Sequence, residues 1–227
     1  MARTPRTIPI VLTALVAFFS ALAAVAVSNG QAHAHGVEDH HHPHAVVAAK
    51  QLALHDGMRK LWEDHVTWTR LAIISLTTGS PDTDTTVGRL LQNQTDIGNA
   101  VKPFYGSAAS DKLTALLKDH ILIAADVIAA AKKGDQAALA DAQSRWVANA
   151  DDIAATLNSV NPRFWKLATL KTELHKHLQL TTDEAVARLQ GDWPADVAAY
   201  DAVHVHMLHL ADFLSSGLVK QFPRRFR

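Results

Sequence analysis

The stretches Leu61-Trp62-Glu63-Asp64-His65-Val66 and Leu116-Leu117-Lys118-Asp119-His120-Ile121 decide the reading of this chain. In each, a histidine interrupts apolar positions that recur every three or four residues: Met58, Leu61, His65, Trp68 and Ala72 in the first, Leu113, Leu116, His120, Ile123 and Val127 in the second. That period belongs to an α-helix, and it places each histidine on the stripe that should face a core. A second pair follows, Asn93-Gln94-Thr95-Asp96-Ile97-Gly98 and Asn149-Ala150-Asp151-Asp152-Ile153-Ala154. The separation is 31 residues from His65 to Asp96 and 32 from His120 to Asp152, so the chain reads as a repeated helical hairpin. A more divergent third copy keeps the spacing. His177, on the stripe of Leu167, Leu170 and Leu174, precedes His206 by 29 residues and His209 by 32, the offsets at which Asn149 and Asp152 follow His120.

Outward from these stretches the periodicity predicts an all-α fold, a six-helix bundle of three antiparallel hairpins. The expected helices cover residues 46–77, 83–102, 109–133, 136–159, 164–190 and 195–221. Their stops are Thr78-Gly79-Ser80-Pro81, Pro103 with Gly106, Lys132-Lys133-Gly134, Asn161-Pro162, Gly191 with Pro194, and Pro223. Each first-helix histidine lies about 12 residues before its helix end, roughly 18 Å along the axis. Each second-helix polar pair lies a similar distance after the next helix begins, so antiparallel packing brings them to one level. His65, His120, His177, His206, His209, Asp96 and Asp152, with Asn93 and Asn149, are therefore expected to share a polar layer.

A buried polar layer has to satisfy its own hydrogen bonds or hold an ion, since stranded polar groups cost on the order of 1–3 kcal/mol each. Imidazoles with a few carboxylates suit a divalent transition metal such as Zn, Cu, Fe or Mn. His206 and His209, at i and i+3, would be adjacent ligands, and the aspartates would ligate or orient the rings. Two other outcomes stand beside metal binding: His–Asp clips that only fix helix register, and a metal-dependent enzyme with a substrate-sized pocket beside His206 and His209. His55, His175 and His204 read as surface residues, and the five tryptophans as packing.

The first 34 residues read as an export signal. Arg3 and Arg6 precede the uncharged segment 8–27, and Ala32-His33-Ala34 fits a small-x-small cleavage site. Retained, the segment would be long enough to anchor the chain in a membrane. Either way the remainder is expected outside the cytoplasmic membrane, secreted or anchored. Residues 35–45 form a His-rich linker with His35, His40, His41, His42 and His44, a tract able to scavenge metal at low selectivity. The helical domain is expected over 46–223, with a basic tail at 224–227.

The 227-residue chain has no cysteine, 14 histidines, and 22 basic against 22 acidic residues. Thiolate chemistry is thereby excluded, and the charge balance offers no case for a nucleic-acid partner. Asp82-Thr83-Asp84 matches a metal–nucleotide motif of glycosyltransferases, but it opens a helix here, where Asp and Thr are ordinary caps. No Gly-rich phosphate loop, His-Glu-x-x-His or Gly-x-Ser-x-Gly is present.

The stretches 61–70, 93–106 and 149–154, with Lys220-Gln221-Phe222-Pro223, resemble a family of small exported or membrane-anchored helical proteins of Gram-positive bacteria. The resemblance runs from about residue 52 to 224. It implies export and an all-α domain and carries no catalytic assignment. A glycosyltransferase label sometimes attached to the family finds no support in these residues.

Overall fold

The computed structural model describes residues 43–227, with side chains from residue 47 onward. The expected signal segment and the tract through His42 lie outside the described residues. Five α-helices follow one another: α1 (Pro43–Thr78), α2 (Thr83–Lys133), α3 (Gln136–Val160), α4 (Leu167–Gln190) and α5 (Trp193–Gln221), closed by a 3-10 turn at Pro223–Phe226. α1 begins three residues before the expected start, so His44 falls in its first turn. The chemistry of the ends is local. Gly134 and Gly191 end α2 and α4 in the left-handed region, at φ of 70° and 72°. Asp135 and Asp192 cap α3 and α5 by accepting from the amides of Ala138 and Ala195. α2 opens directly after Asp82, whose carboxylate accepts from the Ser75 hydroxyl at 2.9 Å. No strand occurs among the described residues.

The helix count is five where the sequence reading expects six. The break expected at Pro103 and Gly106 takes no linker: one residue, Gly106 at φ 80° and ψ 177°, leaves helical geometry inside α2, and the helix resumes at once. The bend there is sharp. The Ser110 hydroxyl donates to the Gly98 carbonyl at 2.8 Å, whereas a straight helix would put 12 residues about 18 Å apart. Gly98 permits this approach, because a Cβ there would collide with the Thr114 side chain.

α1 packs on α2 and α5, α3 on α2 and α4, and α4 on α5. One continuous core, including Met58, Trp62, Ile97, Leu117, Trp146, Ile153, Trp165, Leu174, Met207 and Leu214, draws on all five helices. Near the α4–α5 turn, buried Glu184 and Asp196 share the Arg70 guanidinium. Arg188 adds a bond to Asp196 at 3.2 Å.

Candidate functional site

Three of the predicted histidines meet in the core. His65, His120 and His177 are 2%, 4% and 4% exposed. The His177 ring centre lies 5.6 Å from that of His65 and 5.9 Å from that of His120. Trp62 packs edge-on against His65, and Trp146 tilts against His120. The helices achieve this because each histidine holds the seam position that a leucine would otherwise fill.

The residues that position the rings follow the repeat. Asn93 donates through Nδ2 to the Leu61 carbonyl at 3.0 Å, and Asn149 donates to the Leu116 carbonyl at 3.0 Å. His206 reaches the Glu173 carbonyl through Nε2 at 3.0 Å. In every case the acceptor lies four residues before the buried histidine. His206 thus performs the work of the two asparagines, and its other nitrogen lies 3.7 Å from the Glu173 carboxylate.

Each buried ring is engaged through Nδ1, to a different degree. Because the Asn149 amide nitrogen is committed to a carbonyl, its oxygen accepts, so His120 Nδ1 carries the proton across a 2.9 Å bond. The lone pair of His120 is then on Nε2. The Gln94 amide nitrogen lies 3.3 Å from His65 Nδ1, but its two hydrogens are shared with nearer acceptors, Leu90 O at 2.9 Å and Asn93 Oδ1 at 3.1 Å. His177 Nδ1 has only the Thr181 hydroxyl at 3.5 Å. Burial, with a repulsive contribution from His120, lowers the His65 pKa to about 3, against the Gln94 contact. Burial lowers His120 to about 4, partly offset by its bond to Asn149. His177 is pushed well down by burial and then by the neighbouring rings of His65, His120 and His206. The layer is therefore three neutral imidazoles at neutral pH.

The remaining predicted ligands do not join them. Asp96 is half-buried and accepts from Gln92 on its own helix at 3.0 Å. Asp152 is exposed in an open surface depression beside Asp119, Asp126 and Arg145. His209 is exposed, and His206 stands at the rim of the layer as a donor to backbone. On the surface, His55 pairs with Asp212, His175 with Asp151 and His204 with Glu63. His35, His40, His41 and His42 lie outside the described residues, as does the side chain of His44.

Two spaces lie at the layer, the first walled by buried residues and the second reaching the surface at exposed Gln143 and Val186. One, of about 30 Å³, is lined by all three histidines together with Trp62, Met58 and Met207. That is room for about one water molecule or an ion. The other, of about 90 Å³, lies one turn further along and is bordered by Thr69, Trp146 and Thr181 amid aliphatic side chains. Neither lies beside His209, where a metalloenzyme pocket was expected. The walls are not fully satisfied: Trp62 Nε1, Trp146 Nε1 and Thr69 Oγ1, and Gln94 Oε1 beside His65, are buried with no hydrogen-bond partner among the described residues. The sequence reading missed Gln94, Met58 and Met207. Met58 was on its seam; Gln94 and Met207 each stand one residue past a predicted polar position, Asn93 and His206.

Among the described residues, no set of three or more His, Cys, Asp or Glu side chains already stands in metal-binding geometry. No described helix is long and apolar enough to cross a membrane. The fold and site together define an all-helical bundle with a buried layer of neutral histidines. No protein-family model, curated protein or solved structure matches the chain.

Proposed function

We propose that this is an exported helical-bundle protein that holds one transition-metal ion at His65, His120 and His177, with the His-rich tract before α1 gathering ions at lower selectivity. One observation carries the reading: three buried, neutral imidazoles line one space the size of an ion, with His120 held through Nδ1 and its Nε2 lone pair left over. Three imidazoles on one metal, with bonds of 2.0–2.1 Å, place ring centres roughly 5.1–5.5 Å apart. The two separations from His177, 5.6 and 5.9 Å, would each close by a few tenths of an ångström, and His65 and His120 would close on each other from either side of His177. Neutral rings also offer lone pairs with no proton to displace. His120 is preset for coordination through Nε2. His65 coordinates through Nε2 when its proton is on Nδ1, facing Gln94. The closed surroundings favour holding an ion over turning over a substrate. We read the scaffold as three helical hairpins, with the bend at Gly106 separating the first from the second.

A second reading has its own support: the matching bonds from Asn93, Asn149 and His206 to carbonyls make the layer a device for fixing helix register in a structural or interaction protein of the cell envelope. One measurement separates them. The full chain, with His33, His35, His40, His41, His42 and His44 each replaced by Asn, is stripped by a mild chelator, resupplied with Zn, Cu, Fe or Mn, desalted and analysed for metal. About one retained ion per chain, lost in His120→Gln, supports the centre. A folded but metal-free chain makes the layer a hydrogen-bonded core.

A further inference from the structure

The composition of the chamber wall says which ion it suits, and this step rests on the metal-holding reading above. Among the described residues no carboxylate reaches the rings: Asp96 bonds within its own helix and Asp152 is exposed. Glu173 faces His206 at the rim, 3.7 Å from its Nδ1. Any ion in the chamber therefore keeps its full charge among uncharged, mostly apolar groups. The cost of desolvating an ion grows with the square of its charge, so a monovalent ion costs about a quarter of what a divalent one does in the same place.

The wall also supplies soft atoms. Met58 and Met207 line the same space as the three histidines and are 3% and 0% exposed. They are the only methionines of the described chain, which has no cysteine. Met207 has a defined place in the repeat. It follows His206 as Gln94 follows Asn93, and Gln94 is the residue that contacts the first buried histidine. Met207 is thus the third-copy counterpart of a residue that touches the ring. Thioether sulfur beside imidazole nitrogen selects cuprous copper over zinc, iron or manganese. Cuprous ion is also content with two or three ligands, so His120, His177 and Met207 can hold it without His65 as a ligand.

We infer that the buried layer is a site for a soft monovalent ion, Cu(I), bound by His120 and His177 with the Met207 thioether, and with His65 closing the ring. Binding is simple coordination: Sδ and two or three imidazole nitrogens donate lone pairs, and no electron is transferred. The site is enclosed, which keeps dioxygen and water from the ion and fits holding or handing on copper.

The test uses the full chain with the six tract histidines replaced by Asn. Cu(I) is titrated without oxygen against the chromophoric chelator bicinchoninate, and Zn(II) against a zinc-binding dye. The expected result is one Cu(I) per chain, held at least a thousandfold more tightly than Zn(II). Met207→Leu, which conserves volume, is expected to weaken Cu(I) tenfold or more while leaving the thermal melt in place. X-ray absorption should show a Cu–S shell that Met207→Leu removes, since methionines are the chain's only sulfur. One zinc per chain, lost in His120→Gln, with copper no tighter, overturns the soft-ion inference and leaves the metal-holding reading standing. Copper bound equally well by Met207→Leu, with no sulfur shell, overturns the role of Met207. A folded chain that retains neither metal overturns both.

Discussion

The histidine layer and the Arg70 cluster are neighbours on α1, five residues or about 7.5 Å apart along the axis, and both bury polar side chains, yet they meet the cost of burial in opposite ways. Around Arg70 the groups stay charged and are matched. Glu184 donates nothing and accepts from Arg70 at 2.9 Å, and Asp196 accepts from both Arg70 and Arg188. Burial pulls the Asp196 carboxyl up, but the bonds from Arg70 and Arg188 outweigh it and hold it below its ordinary value. Burial wins at Glu184, which is raised despite Arg70. In the histidine layer the groups give up charge instead, and their partners are few and uneven: a good bond at His120, a long one at His65, a marginal one at His177. A matched cluster is complete. An incompletely matched neutral layer keeps lone pairs to offer, and that difference is why only one of the two is proposed as a site.

Four measurements separate the two regions. The largest effect is expected from Arg70→Met, which leaves two buried carboxylates facing each other with Arg188 alone. A loss of about 3–5 kcal/mol in urea unfolding is expected, and a loss under about 1 kcal/mol would show that the cluster is not matched as described.

Acid should act on the other region. The folded pKa values of His65 and His120, about 3 and about 4, lie below the ordinary 6.5, so between those values the unfolded chain binds more protons. Stability contributed by each ring is complete above pH 6.5 and falls as pH drops toward the folded value. By pH 5 the loss is on the order of 2 kcal/mol per ring. Urea midpoints between pH 7 and 5 check this, and His120→Gln should flatten the slope. An unchanged slope would mean that His120 does not titrate as a buried neutral ring.

Asn149→Ala comes next. It strands the His120 Nδ1–H, and a loss of about 1–3 kcal/mol is expected by the same urea assay. Smallest of all are Asp152→Ala and His209→Ala, exposed positions where stability should move by no more than about 0.5 kcal/mol and metal content should not move. A drop in bound metal in either variant would return these residues to the site and remove the case for an uncharged chamber.

Much of this was legible in the chain. Helical periodicity placed His65, His120 and His177 on core-facing stripes, and equal spacing from helix ends put them at one level. The choice between Asn93 and Asp96, or between Asn149 and Asp152, was not legible. Residues three apart differ by only about 60° around a helix, so both fit a stripe that is itself about 100° wide. Packing decided in favour of the asparagines, which reach carbonyls on the neighbouring helix, and left Asp152 outside. Aspartate beside histidine suggested a metal or register pair; the partners used were the amides Gln94 and Asn149.

By itself the sequence determined an all-helical chain whose buried histidines stand at one height, because a helix fixes the direction of every side chain from spacing alone. The tertiary structure decided how those faces meet: that one glycine with left-handed φ lets the chain double back with no linker, that the carboxylates turn away, and that Met207 joins the wall. These follow from the rotation and close approach of helices far apart in sequence, which no local period encodes.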